Sequence, residues 1–287
     1  MLPEFWYSTA PLDGDWLMDP MITIAIRAAR AAGDVIARSL GRVDPRKITA
    51  KSRNDFVSEV DRQAESEIIY ILQRAYPGHG ILAEETGRQG RHTEDYLWVI
   101  DPLDGTTNFL HGFPQFAVSI GLLYRGVPEA GVIYDPLRQE LFTAKRGSGA
   151  TLESRRIRVT PQATLQGALL GTGFPFKDQR FVDPYLGMLK DLIRDTAGIR
   201  RAGSAALDLA YVAAGRLDGF WEMGLQPWDM AAGVLMIREA GGMVTDLMGG
   251  DRVMETGYLL AANPKLHQAM RDTITPHLTE AIRREMA

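Results

Sequence analysis

Residues 98–109 (WVIDPLDGTTNF) constrain this chain more than any other stretch. The apolar run 97–100 is short, partly β-branched and bounded by proline and glycine, which predicts a buried strand. Asp101 then stands where that strand ends, with Pro102 fixing φ and stopping the ladder. Asp104 follows three residues later. Gly105 lets the backbone approach another group closely. Thr106, Thr107 and Asn108 supply hydroxyl, amide and backbone N–H donors suited to an anion. Two hard carboxylates beside such donors are a sensible way to hold divalent cations against a phosphate. The competing reading is a plain turn, because Asp, Pro, Gly, Thr and Asn all form turns. A calcium loop does not fit, since an EF-hand needs acids at positions one, three and five and glycine at six.

A chain of 287 residues is long for a single core, so one large or two intimately packed domains are expected. Net charge is −4 with no long basic run, which gives no nucleic-acid footprint. Cysteine is absent. That excludes disulfides and thiolate catalysis, and suits a reducing cytoplasm, the expected location. No apolar run reaches 18 residues, so no membrane association is expected.

Residues 1–18 carry aromatics and prolines without a period and are expected to be a mobile extension. Asp19-Pro20 predicts an N-cap and first helical residue, with Gly41 ending that helix. Residues 51–61 (KSRNDFVSEVD) read as a polar connector into a second helix with Asp61 at its start, where capping alone could explain it. Residues 80–83 read as a strand ending at Glu84-Glu85, which could be ordinary surface charge. Residues 88–95 read as an exposed loop. Strands follow at 117–124, 129–135 and 140–145. Gly147-Ser-Gly149 reads as a turn, since no Lys-Ser or Lys-Thr follows as in a phosphate loop. A soft boundary near 155 divides an α+β part, 19–155, carrying Glu84, Asp101 and Asp104, from an α/β part, 156–287, carrying Glu222 and Asp229. In the second part, 168–173 reads as a strand, 183–194 as a helix and 204–215 as an amphipathic helix. Residues 217–221 then form a strand delivering Glu222. Pro227 opens a helix in which Asp229 could be a simple cap. Strands at 243–245 and 258–262 and a helix from Pro264 complete an α/β layering.

At residues 98–109 the chain resembles the inositol monophosphatase family, closest to its bacterial SuhB-type branch. The E-E-T-G at 84–87, W-D-M-A-A-G at 228–233 and E-A-G-G at 239–242 are also similar to family motifs, as are segments 51–61 and 201–229. The resemblance covers about residues 20–270. It implies an αβαβα sandwich shared with fructose-1,6-bisphosphatases, and a Mg²⁺-dependent, lithium-sensitive phosphomonoesterase. Carried over by position, Glu84, Asp101 and the Leu103 carbonyl would bind one ion, and Asp101, Asp104 and Asp229 a second. A weaker third ion would touch Glu84. Gly105, Thr106 and Thr107 would hold phosphate oxygens, and Asp61 with Thr106 would help position a water. Ala205 and Glu222 would touch substrate hydroxyls. Glu85 would stand behind the metal ligands and Lys51 near them. A homodimer is also implied.

The chemistry is consistent with that assignment. Magnesium prefers oxygen ligands, so carboxylates serve and histidine or cysteine is unnecessary. The five histidines lack metal-type spacing and are expected mostly in solvent. No P-loop supports a kinase or NTPase. The substrate stays open between inositol monophosphate or a similar polyol phosphate and fructose 1,6-bisphosphate, histidinol phosphate or a 3′-phosphoadenosine nucleotide. SuhB-type resemblance adds a third possibility, a binding role in transcription antitermination with Nus factors and RNA polymerase.

Overall fold

The computed structural model describes residues 19–42, 49–52, 55–90, 95–175 and 178–286, of which 49–52 and 55–57 by backbone alone. The expectations placed on residues 1–18, and on the Lys51 side chain, lie outside the described parts.

Asp19 caps α1 (Pro20–Ser39) as its sequence suggests, its Oδ1 accepting the Met21 N–H at 2.8 Å. The connector is more ordered than its polarity implied. It overlaps an antiparallel strand pair, β1 (Thr49–Ser52) and β2 (Asp55–Val57). The second helix, α2 (Glu59–Ala75), begins before Asp61, because Ser58 is its cap and Asp61 sits at the third helical position, closing a capping box.

A mixed sheet of eight strands follows: β3 (Gly80–Ala83), β4 (Gly87–Gln89), β5 (Tyr96–Asp104), β6 (Ala117–Tyr124), β7 (Val127–Asp135), β8 (Glu140–Lys145), β9 (Gly149–Leu152) and β10 (Arg155–Arg156). A short helix, α3 (Thr106–Leu110), lies between β5 and β6. The order across the sheet is β10-β9-β8-β7-β6-β5-β3-β4. β4 takes two residues from the expected loop at 88–95, of which 91–94 are outside the description. Pro102 does not end β5. The strand runs on to Asp104, its register with β6 slipping between Asp101 and Asp104. A bulge accommodates a proline that a regular ladder would reject.

The second half adds β11 (Leu169–Thr172), α4 (Val182–Ile193), β12 (Gly198–Arg200), α5 (Ala205–Ala213), β13 (Gly219–Met223), α6 (Pro227–Glu239), β14 (Met243–Thr245), α7 (Val253–Thr256), β15 (Tyr258–Ala262), α8 (Pro264–Ile274) and α9 (Glu280–Met286). Its sheet has the order β12-β11-β13-β15-β14.

Layers follow from which faces are apolar. Ile22, Ala29 and Ile36 of α1 and Ile68 and Leu72 of α2 pack on one face of the large sheet. α5 and α6 fill the space between the sheets, with Leu209, Leu235 and Ile237 buried against Ile133, Phe142, Phe220 and Leu259. α4 and α8 cover the outer face of the small sheet through Met188, Leu192, Leu266 and Met270. This is the layered α/β sandwich the sequence suggested. It also corrects one detail: α5 is not amphipathic in use. Eight of its nine residues are buried, because a helix between two sheets has no solvent face.

The histidines also depart from expectation. His267 is buried, with its Nε2 2.8 Å from Thr245 Oγ1. Burial lowers its pKa to about 4. Gly147 and Gly149 form a turn, and their N–H groups donate to the Glu239 carboxylate at 2.7 Å each. Glu239 of the E-A-G-G segment is therefore a strut for that turn.

Candidate active site

The bulge in β5 sets the site. It brings Asp101 and Asp104 together at one end of the large sheet, although two residues separate them. The Leu103 N–H donates to Asp101 Oδ1 at 2.9 Å, which fixes that carboxylate. Ser119, the β6 register partner of Asp101, donates to the Trp228 carbonyl at 3.2 Å. That bond pins the start of α6 beside the strand end. Asp229 sits there, its Oδ2 accepting the Gln226 N–H at 2.7 Å. Asp101, Asp104 and Asp229 each offer an oxygen, all within 4.8 Å of one another. Capping explains the geometry of Asp229 without explaining why two further acids meet it.

Glu84 follows β3, and its N–H donates to the Ile100 carbonyl at 3.1 Å. Its carboxyl lines the same cavity as the three aspartates and perturbs Asp101. Leu103, Gly105, Thr106, Thr107, Ala205 and Glu222 line that cavity as well, whose volume is about 370 Å³. Gly105 has φ 99°, and a Cβ there would stand 2.9 Å from the Gln115 carbonyl oxygen. Both facts require glycine.

Two of the residues named from the sequence have protein partners of their own. Asp61 is not part of the cavity wall. It is buried behind Thr106, whose hydroxyl lies 2.9 Å from Asp61 Oδ1 and 3.1 Å from the Leu103 carbonyl. The Ser58 N–H and hydroxyl donate to its other oxygen. Asp61 therefore reaches the cavity only through Thr106. Asn108 has the chemistry of an anion donor. Its side-chain amide instead faces the carbonyls of Gln115 (2.7 Å) and Ala202 (2.9 Å). It clamps the chain entering α5 against α3.

Asp104 holds the other side of that joint. Its Oδ2 accepts the Ser204 hydroxyl and, at 2.8 Å, the Ala206 N–H. Neither Glu65 nor Asp208 was singled out from the sequence. Glu65 is 1% exposed. Its carboxylate accepts the Glu85 N–H at 2.8 Å and the Thr86 N–H at 3.0 Å, which shapes the turn carrying Glu84. A lone Glu on a helix gives no sequence signal of that task. Glu65→Ala strands two donors, and the expected loss is about 2–4 kcal/mol of stability by urea unfolding. An unchanged midpoint and slope would show that the turn holds without it.

Electrostatics mark the cluster. Burial pushes the Asp101 carboxyl well above the usual carboxylate range, and Glu84, Asp104 and Asp229 push it further. Asp229 is raised by burial and then by Asp104. Burial raises Asp104 to about 6 even though Ser204, Ala206 and Ala205 donate to it. Asp61 is raised by burial, against the donors it accepts. Oxygen-only donors crowded to mutual repulsion suit a hard divalent cation.

Comparison with known proteins gives a consistent result. The inositol monophosphatase family model matches residues 17–283. The chain is 54% identical to the Nus factor SuhB of Pseudomonas aeruginosa over 271 residues, which is 93% of this chain and all of the relative. The extragenic suppressor protein suhB of Bartonella henselae superposes with a TM-score of 0.85 at 45% identity, covering 88% of this chain and 97% of that one. The inositol monophosphatase of Anabaena gives a TM-score of 0.82 at 42% identity, covering 91% and 97%.

Proposed function

The chain belongs to the inositol monophosphatase family, and from that premise we propose that it is a Mg²⁺-dependent phosphomonoesterase acting on myo-inositol monophosphate or a similar small polyol phosphate. The observation that carries the reading is the meeting of Asp101, Asp104 and Asp229 within 4.8 Å beside Glu84. Glu84, Asp101 and the Leu103 carbonyl would hold one ion, Asp101, Asp104 and Asp229 a second, and Glu84 a weaker third. Magnesium bound there supplies positive charge against the phosphate and eases deprotonation of a water.

The chain's own residues do the rest. The bend at Gly105 turns the backbone N–H groups of Gly105 and Thr106, with Thr107 beside them, to phosphate oxygens. Thr106 Oγ1 orients the attacking water and relays its hydrogen bond to Asp61, which the Ser58 N–H and hydroxyl hold in place. Asp61 is a positioning residue in this scheme. Ala205 and Glu222 line the cavity and would touch the alcohol's hydroxyls. Enclosure by β5, α5 and α6 limits bulk water and strengthens every charge in the site.

The test is phosphate release from a panel: inositol, glycerol and histidinol phosphates, fructose 1,6-bisphosphate and 3′-phosphoadenosine 5′-phosphate. The expected result is Mg²⁺-dependent release, inhibited by Li⁺, with the polyol monophosphates hydrolysed best. Preference for a bisphosphate or for histidinol phosphate would move the substrate, and release from none would remove the enzyme.

One observation favours a second role. The Pseudomonas aeruginosa relative is named as a Nus factor. Contact with Nus factors and RNA polymerase, by a homodimer, is thus part of the proposal.

A further inference from the structure

Asp208 lies in the first turn of α5, is 2% exposed and still lines the cavity. Among the described residues, none donates a hydrogen bond to its carboxyl group. A buried carboxyl without a donor is costly, and the cost is relieved when a donor arrives. We propose that Asp208 is a substrate-binding residue that selects a polyol leaving group, its carboxyl hydrogen-bonding a hydroxyl of the departing alcohol.

The placement supports this. Ser204, which donates to Asp104, begins α5, and the Asp208 N–H donates to the Ser204 carbonyl at 3.0 Å. Asp208 therefore stands one helical turn, about 5.4 Å, beyond the end of the helix that meets the acid cluster. That offset reaches past an ester oxygen to hydroxyls on neighbouring carbons. Glu222 approaches the same end of the cavity from β13. Gly173 makes room for it, because a Cβ there would collide with the Glu222 carboxyl. Arg201 lines the same wall and acts on Asp208 from the opposite sign of charge. Two carboxyl groups and a guanidinium around one alcohol-sized space describe a lining for a hydroxyl-rich, uncharged moiety. A bare aryl group would leave Asp208 as it is, without a donor.

This inference rests on the phosphatase reading, and its test separates the two. The measured quantity is the ratio of kcat/KM for myo-inositol 1-phosphate to that for p-nitrophenyl phosphate, in wild type, Asp208→Leu and Asp208→Asn. Leu fills similar space and removes a buried polar group, so the fold should accept it. The ratio is expected to fall about 10- to 100-fold in Asp208→Leu. Asp208→Asn keeps an acceptor oxygen and should recover most of it. If the Leu variant does not fold, Asp208→Ala takes its place: a fall in the ratio of similar size supports the assignment, and an unchanged ratio overturns it. Equal losses on both esters, or no loss on either, would make Asp208 structural and overturn the inference alone. Wild-type protein that hydrolyses neither ester would remove the phosphatase reading and this inference with it.

Discussion

Asp101→Asn should leave the protein folded and lower phosphate release on the order of a thousand-fold or more. The variant keeps the shape of the side chain. Its amide oxygen can still accept the Leu103 N–H that fixes the native group at 2.9 Å. What it loses is the one negative charge at the centre of the cluster, facing Glu84, Asp104 and Asp229 together. A neutral oxygen is a poorer ligand for a hard cation than a carboxylate. The prepared charge distribution is lost while the scaffold stays. Without a cation the variant should even melt higher than wild type, because one member of a repelling group is gone. Wild-type turnover in Asp101→Asn would remove that residue from the mechanism. The variant also separates the two proposed roles, since retrieval of RNA polymerase by the inactive protein would survive if binding uses other surfaces.

The second large effect is on stability. Folded-state pKa values are raised at Asp101, Asp104 and Asp229. The folded protein then binds more protons than the unfolded chain, so stability falls as pH rises. For Asp104 the contribution is fully present below its unfolded value of 3.8 and is lost as pH passes about 6. That shift alone corresponds to roughly 3 kcal/mol. In EDTA, the melting temperature should therefore decline between about pH 4 and pH 7. Excess Mg²⁺ should raise it at pH 7 and flatten or reverse the slope, because bound cations favour the ionised carboxylates. Equal melting temperatures in EDTA and Mg²⁺ at pH 7 would contradict the cation cage.

Much of this was legible in the sequence because it is local. Strand runs, Asp19-Pro20 and Pro227 mark most elements, and residues 98–109 announce their chemistry. What escaped was tertiary. Pro102 looks like a strand terminator until a bulge absorbs it. Residues 51–61 look like a connector, yet 49–52 and 55–57 pair as antiparallel strands. Asn108 looks like an anion donor, and only the fold reveals that its amide faces Ala202 and Gln115. Glu65 and Asp208 resemble ordinary helix acids. Their burial, and the partner each has or lacks, depends on turns and sheets far away in sequence. The convergence of Asp229 on Asp101 was expected from the family resemblance alone, and the Ser119 hydroxyl donating to the Trp228 carbonyl is what pins α6 beside β5.

The most direct test is titration of Mg²⁺ into metal-stripped protein with myo-inositol 1-phosphate, following free phosphate. The expected result is no release in EDTA and a saturable rise with Mg²⁺ that Asp229→Asn displaces to higher concentration or abolishes. Release at the same rate without any divalent cation, or a Mg²⁺ response identical in Asp229→Asn, would contradict it.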